Sequence, residues 1–285
     1  MTYRTVKIIV SARKTTMGGH VMYKSLPHKK IARIDPFLLI DHINSPLKGG
    51  QKPYEVGVGP HPHRGFSPVT LVFKGNVEHR DSLGNRVIID AGGTQWIHAG
   101  HGILHSERPS RELAMNGGEN ELIQIWINTP AQYKMENPYY KPLSEQQTPK
   151  IIGENSTLSV VAGHYEGITG PIQTYSPQTI LRGEAEAGVR LVIPLPRNFN
   201  TLVYLLDGEI ETDHKRAQGK DMIYFNNDEE ALLLKVNRKS RFIVLSGEPI
   251  AEPIVSLGPF VMNTQTEIMQ ALKDSKAGKM GRMQV

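Results

Sequence analysis

The chain of 285 residues contains no cysteine. Disulfides and thiolate coordination are thereby excluded, so any metal site must be built from imidazole and carboxylate groups. A chain without cysteine also fits a cytoplasmic protein, the localisation expected from the sequence. No run of roughly 18 apolar residues occurs, so no membrane-spanning helix is expected. The one apolar stretch near the start, Ile8-Ile9-Val10, is too brief for the hydrophobic region of a secretory signal. Nucleotide and serine-hydrolase fingerprints are missing too: there is no P-loop, no GxGxxG after a strand and no GxSxG. Charge of one sign is in modest excess, +5 at pH 7. Its densest patches are His28-Lys29-Lys30 and the tail residues Lys273, Lys276, Lys279 and Arg282. No aromatic side chains interleave with them as in a groove for single-stranded nucleic acid, so they read as solvated surface and no direct nucleic-acid binding is expected.

Glycine (27) and proline (19) recur at turn-like intervals between short apolar stretches, the rhythm of an all-β protein. In the first half Phe37-Ile40, Val69-Phe73, Val77-Arg80, Val87-Asp90, Gln95-Ile97 and Leu122-Asn128 read as strands, with Asp81-Ser82-Leu83-Gly84-Asn85 as a hairpin loop. From Thr129 to Lys150 four prolines and many polar residues read as a linker. Beyond it the strand rhythm resumes, with Leu206-Asp207-Gly208-Glu209 as a tight turn. The apolar–glycine–apolar pattern around Gly75 recurs around Gly208, which suggests two related β-domains. Their expected extents are 1–135, carrying the metal site, and 136–285, carrying the linker, no ligand set and a terminal helix. That helix starts at the capping box Thr264-Gln265-Thr266-Glu267, and past Ser275 the tail is expected to fray.

Six of the eleven histidines fall between positions 61 and 105. Two segments stand out within that span, His61-Pro62-His63-Arg64-Gly65-Phe66 and Gly100-His101-Gly102-Ile103-Leu104-His105-Ser106-Glu107. In a strand, side chains at i and i+2 share a face, so His61 and His63 look one way, and so do His105 and Glu107. Two such pairs facing one another would close around a single ion. Three imidazoles and a carboxylate suit iron, manganese, cobalt, nickel, copper or zinc, and four protein ligands on an octahedral ion leave two positions open. Glu107 is expected to ligate and also to take a proton from a bound hydroxyl. His98 and His101 are out of phase with this face and read as pocket-rim residues or supports behind the ligands, with an ordinary surface histidine as the other reading for each. The face of His79 is not fixed by the sequence, and Arg64 reads as a structural partner for a carboxylate within the domain.

The same segments, together with Asp35-Pro36-Phe37-Leu38-Leu39-Ile40-Asp41, Gln95-Trp96 and Gly258-Pro259-Phe260-Val261-Met262-Asn263, resemble those of the pirin family over most of the chain. The resemblance implies two cupin-type β-barrel (double-stranded β-helix) domains and one mononuclear divalent metal, usually Fe(2+), in the first. The ligands it implies are His61, His63, His105 and Glu107. Ser67-Pro68 after the HPHRGF segment and Ala91-Gly92-Gly93 before Gln95 depart from the family pattern, as do His98 and His101. These departures alter the pocket wall rather than the ligand set. The implied activity is that of a quercetin 2,3-dioxygenase, which opens a flavonol or a similar chelating hydroxy-carbonyl substrate with dioxygen. The other function the resemblance implies is a regulatory, redox-sensing protein that acts on a protein partner, a transcription cofactor or a modulator of a metabolic enzyme. A metal-free β-barrel storage or scaffold protein is the third reading weighed.

Overall fold

A computed structural model describes residues 2–17 and 20–283. Strands hold 55% of the described residues, as the apolar rhythm predicts, and the contacts group them into two units.

One unit comprises Met1–Arg13, Lys24–Pro36 and Gln146–Pro249. Its sheet runs in the order Val6–Ser11, Asp221–Phe225, Asn200–Thr212, Ala231–Gly247, Gln178–Ala185, Ser156–Ala162 and Lys150–Ile152. Arg190–Pro194 pairs with the 231–247 strand and Lys215–Gln218 with the 200–212 strand. Alternate residues point inward, so Val203, Leu205, Phe242 and Val244 meet in one core with Leu181 and Phe225. The turn expected at Asp207-Gly208 is instead a pair of bulges inside the unbroken strand Asn200–Thr212, with register shifts on both sides of Asp207. Gly208 adopts φ +87° with Ser240 packed against it, so the chain bends there and keeps its partner rather than reversing.

The other unit comprises Lys14–Tyr23, Phe37–Glu145 and Ile250–Val285. Two main sheets build it, beside the short antiparallel pair Val255–Leu257 and Phe260–Met262. The larger is ordered Tyr139–Leu143, Thr94–His98, Phe66–Lys74, Glu121–Asn128, Phe37–Asn44, His20–Leu26, Arg13–Met17. The smaller is ordered Val58–His63, Ile103–Arg108, Asn76–Asp81, Arg86–Asp90. The strand Glu121–Asn128 shows how sequence sets the face. Ile123, Ile125 and Ile127 alternate with Leu122, Gln124 and Trp126, and the three isoleucines are essentially inaccessible. Each contributes about 2 kcal/mol of burial. The hairpin loop expected at 81–85 forms between strands Asn76–Asp81 and Arg86–Asp90.

Three local expectations are corrected in this unit. The stretch read as a linker contains the strand Tyr139–Leu143, antiparallel to Thr94–His98. It lies at the sheet edge, where Pro142 removes no needed ladder donor. A short helix, Arg111–Asn116, interrupts the expected run of strands; the Ser110 side chain accepts from the Leu113 amide at its start. The tail does not fray after Ser275. The capped helix runs Gln265–Lys276, Met280 beyond it is buried, and its carbonyl accepts from the Ser82 hydroxyl. The last two residues of that expectation lie outside the described residues.

Arg64 fixes this tail to the segment that carries the HxH pair. Its guanidinium donates to Asp274 of the terminal helix at 3.0 Å and to the His101 carbonyl. Hydrogen bonds from Lys279 and Arg64 hold the Asp274 carboxyl down at about 2, against an ordinary 3.8. A lowered folded value stabilises above the unfolded one, and that part of the stability is lost as pH falls from about 4 to about 2. Asp274→Asn is therefore expected to cost roughly 3 kcal/mol at pH 7, because it leaves the Arg64 charge buried without its carboxylate. It should also flatten the acid limb of the stability curve between pH 4 and 2. Chemical denaturation across that range checks both; an acid limb as steep as that of the unaltered protein would contradict the assignment.

Candidate metal centre

The HxH segment lies on the strand Val58–His63 and the second on Ile103–Arg108, and the two strands are antiparallel neighbours. Their register sets His61 directly opposite His105, and His63 opposite Ile103. The three imidazoles gather accordingly. Ring centroids lie 4.7 Å apart for His61–His63, 4.3 Å for His61–His105 and 4.8 Å for His63–His105. One nitrogen from each lies within 4.8 Å of the others, the one group of three or more ligating side chains of this kind among the described residues.

Hydrogen bonding identifies which nitrogens are available. His61 Nδ1 donates to the Gly59 carbonyl at 2.8 Å, and His63 Nδ1 to the Pro259 carbonyl at 3.3 Å. The Nε2 lone pair of both rings is thereby left for an ion. His63 Nε2 and both nitrogens of His105 are buried with no protein partner. Burial is costly for such atoms, and a cation would satisfy them. Burial, with the neighbouring imidazoles, pushes His63 down to about 3 and His105 well below its ordinary value. Both rings are thus neutral at physiological pH, so protons would not compete with a metal there.

Glu107 is not among the mutually close ligand atoms. It follows His105 by two residues, with a register shift between them against the HxH strand. Its Oε1 accepts from the Thr70 hydroxyl at 2.9 Å and from the Gln95 amide, and its Oε2 accepts from the Gln124 amide at 2.7 Å. These donors come from three strands of the larger sheet and hold the carboxylate in one orientation. Glu107 and Gln124 also line a cavity of about 50 Å³ with Ile43, Val77 and Leu122, room for a water or two.

The remaining histidines separate clearly. His98 ends the strand Thr94–His98, fully buried against Tyr139, and burial lowers it to about 4. It is a core residue, not a rim residue. His101 is partly exposed in the turn, with its amide on the Glu136 carbonyl and its carbonyl on Arg64. His79 is fully buried, donates to Asp81 at 2.8 Å, and stacks face to face on Tyr140 at 3.9 Å.

Sequence reasoning missed the supports of the site. The Pro259 carbonyl arrives from nearly 200 positions away, and Tyr140 from the stretch taken as a linker. Only Asp81 carried a legible mark, as the second half of a His-x-Asp pair in period two.

Known proteins resemble this chain over most of its length. Residues 19–127 match the protein family Pirin, and residues 180–281 match the Pirin C-terminal cupin domain. Human Pirin is 31% identical over 285 residues, spanning 98% of this chain and 94% of its own. A Pseudomonas aeruginosa protein, provisionally named a quercetin 2,3-dioxygenase, is 38% identical over 251 residues, 86% of either chain. A crystal structure of quercetin 2,3-dioxygenase from Acinetobacter baumannii is 33% identical. It superposes with a TM-score of 0.93 over 99% of this chain and all of that one.

Proposed function

The chain belongs to the pirin family, and on that footing we propose that it is an iron-dependent dioxygenase of the quercetin 2,3-dioxygenase type. The observation that carries the proposal is the convergence of three neutral imidazoles, two of them with buried nitrogens that nothing in the protein satisfies. His61, His63 and His105 would hold the ion, with Glu107 as fourth ligand. Each Glu107 oxygen accepts at most two bonds in the present arrangement, and a carboxylate has about four acceptor sites, so coordination needs no donor displaced from Oε2. A bound Fe(2+) would supply the sites for a chelating hydroxy-carbonyl and for dioxygen.

The protein's own contribution is orientation and proton handling. Gly59 and Pro259 fix the ring tautomers, and Thr70, Gln95 and Gln124 fix the carboxylate. Glu107 takes the hydroxyl proton of the substrate on Oε2, giving up the bond from the Gln124 amide to make room for it, and the resulting oxyanion is the form that reacts with dioxygen. Ring opening then consumes one dioxygen and releases carbon monoxide. The A. baumannii relative lends the flavonol its place here as the first substrate to try.

The test is metal analysis of protein purified without chelators, then anaerobic loading with Fe(2+) and addition of quercetin and oxygen. Flavonol absorbance should fall and carbon monoxide should appear. Fully loaded protein that leaves quercetin intact would overturn the flavonol reading. Glu107→Gln gives a sharper check. The amide would present N–H groups to side chains that already donate, so it loses both the charge and the fit. Metal affinity is expected to fall at least about 10-fold and turnover about 100-fold. Unchanged affinity would remove Glu107 from the ligand set.

A further inference from the structure

His61 and His63 each rest their Nδ1 on a backbone carbonyl, but His105 has no such support. One of its nitrogens joins the three-imidazole group. The other is buried with no protein partner in hydrogen-bonding geometry. A third ring lies beside it besides those of the HxH pair: His79, with centroids 5.6 Å apart. The adjacent strands Ile103–Arg108 and Asn76–Asp81 explain the placement. Their register sets His105 opposite Asp81 and Glu107 opposite His79, so all four side chains share one face.

His79 is held from two sides. Its Nε2 donates to Asp81 Oδ2 at 2.8 Å, both side chains being inaccessible to solvent. The Tyr140 ring lies parallel to it, 5° off plane. Asp81 is itself anchored. Its Oδ1 accepts from the Leu83 and Asn85 amides, and its Oδ2 accepts from the Asn85 side chain. Burial opposes its charge, yet the hydrogen bonds from His79 and Asn85 prevail and keep its carboxyl below the ordinary value. With Nε2 carrying the proton toward Asp81, His79 Nδ1 presents a lone pair, and that atom is also buried without a protein partner.

We propose that His79 is the positioning residue of the metal centre: its Nδ1 accepts the hydrogen of the outward-facing His105 nitrogen, directly or through one water, in a relay Asp81–His79–His105–metal. The arrangement does for His105 what the Gly59 and Pro259 carbonyls do for the other two rings. It fixes one tautomer, keeps the ligating nitrogen unprotonated and raises its basicity through the Asp81 carboxylate two groups away. The inference rests on the three histidines forming the metal site.

The experiment uses the full chain with and without metal. In metal-free protein labelled with 15N-histidine, long-range proton–nitrogen spectra report the tautomer of every ring. His79 is expected as the Nε2–H form and His105 as one fixed form. His79→Phe keeps the stack on Tyr140 and removes the acceptor. His105 should then show averaged tautomers, and competition against a chromophoric chelator should show Zn2+ affinity lowered 10- to 100-fold. In Asp81→Asn the two backbone amides keep the carbonyl oxygen at the Oδ1 position. The NH2 therefore faces His79 and should turn it to the Nδ1–H form, again unsettling His105. Should His79→Phe fail to fold by circular dichroism, the Asp81→Asn spectra decide alone. A His105 tautomer unmoved in the folded variants, with Zn2+ affinity unchanged, would overturn the proposal. Unaltered protein that binds no Zn2+ would instead overturn the metal site, while the metal-free spectra would still decide the hydrogen bond.

Discussion

His105→Ala is expected to abolish stoichiometric metal binding and to lower turnover roughly a thousandfold or more, with the fold intact. The two effects part company because of where His105 sits. Its ring is wholly buried and neither nitrogen is held by a backbone or side-chain partner in hydrogen-bonding geometry, so beyond the proposed link to His79 the metal-free protein draws no hydrogen-bond energy from it. Deleting the ring leaves a cavity but also relieves two desolvated polar atoms. The net change in metal-free stability should be about 1–2 kcal/mol in either direction. With metal the comparison reverses: the unaltered protein gains stability from bound ion and the variant does not. Thermal unfolding of both proteins, with and without Zn2+, reads this directly. Unfolding of metal-free His105→Ala at room temperature would contradict the separation of site from scaffold. So would a variant stabilised by the ion as much as the unaltered protein.

Gly65→Ala is expected to do the opposite, destabilising the scaffold first and the site as a consequence. Gly65 follows the HxH pair with φ +84°, a conformation that costs an alanine roughly 1–2 kcal/mol. Space is the larger obstacle. A Cβ there would lie 2.1 Å from the Val261 carbonyl oxygen and 2.7 Å from the Met262 sulfur. The thioether can swing aside, but the carbonyl is backbone. It accepts from the buried Lys134 ammonium, which also binds the Gly65 carbonyl at 2.5 Å. The Val261 amide in turn donates to the Arg64 carbonyl. Relief requires the 260–262 strand to withdraw from the HxH segment, against every one of these bonds. We expect a loss of about 4 kcal/mol or more, among the large values reserved for strained backbone. Because the Pro259 carbonyl that holds His63 belongs to the same segment, metal affinity should fall as well. A melting temperature within about 2 °C of the unaltered protein would show that the close approach is softer than it looks.

Much of the site was legible before any coordinates. The period-two spacing of His61 with His63, and the richness of histidine between 61 and 105, are local properties of strands, where alternation fixes the face. The same locality made the 81–85 hairpin and the Thr264–Glu267 capping box readable. What failed to read out were features that depend on a distant partner. Asp207-Gly208 has turn chemistry, yet pairing with the 231–247 strand turned it into a bulge. Tyr139–Leu143 has the composition of a linker, yet the open edge beside Thr94–His98 made it a strand. The hydrogen bonds that orient the Glu107 carboxylate, from Thr70, Gln95 and Gln124, are likewise announced by no spacing.

By itself the sequence determined the all-β character, the absence of thiolate chemistry and the identity of three converging imidazoles, because residue type and strand alternation are properties of neighbours along the chain. Only the tertiary structure decided which nitrogen of His61 and of His63 is left free of a backbone carbonyl, through Gly59 and Pro259, and which ring lies beside His105. It also decided that the first strand, Val6–Ser11, pairs with Asp221–Phe225 while the last 36 residues group with the site. Such choices depend on burial and hydrogen-bond satisfaction between segments tens to hundreds of residues apart, and those energies have no counterpart in local pattern.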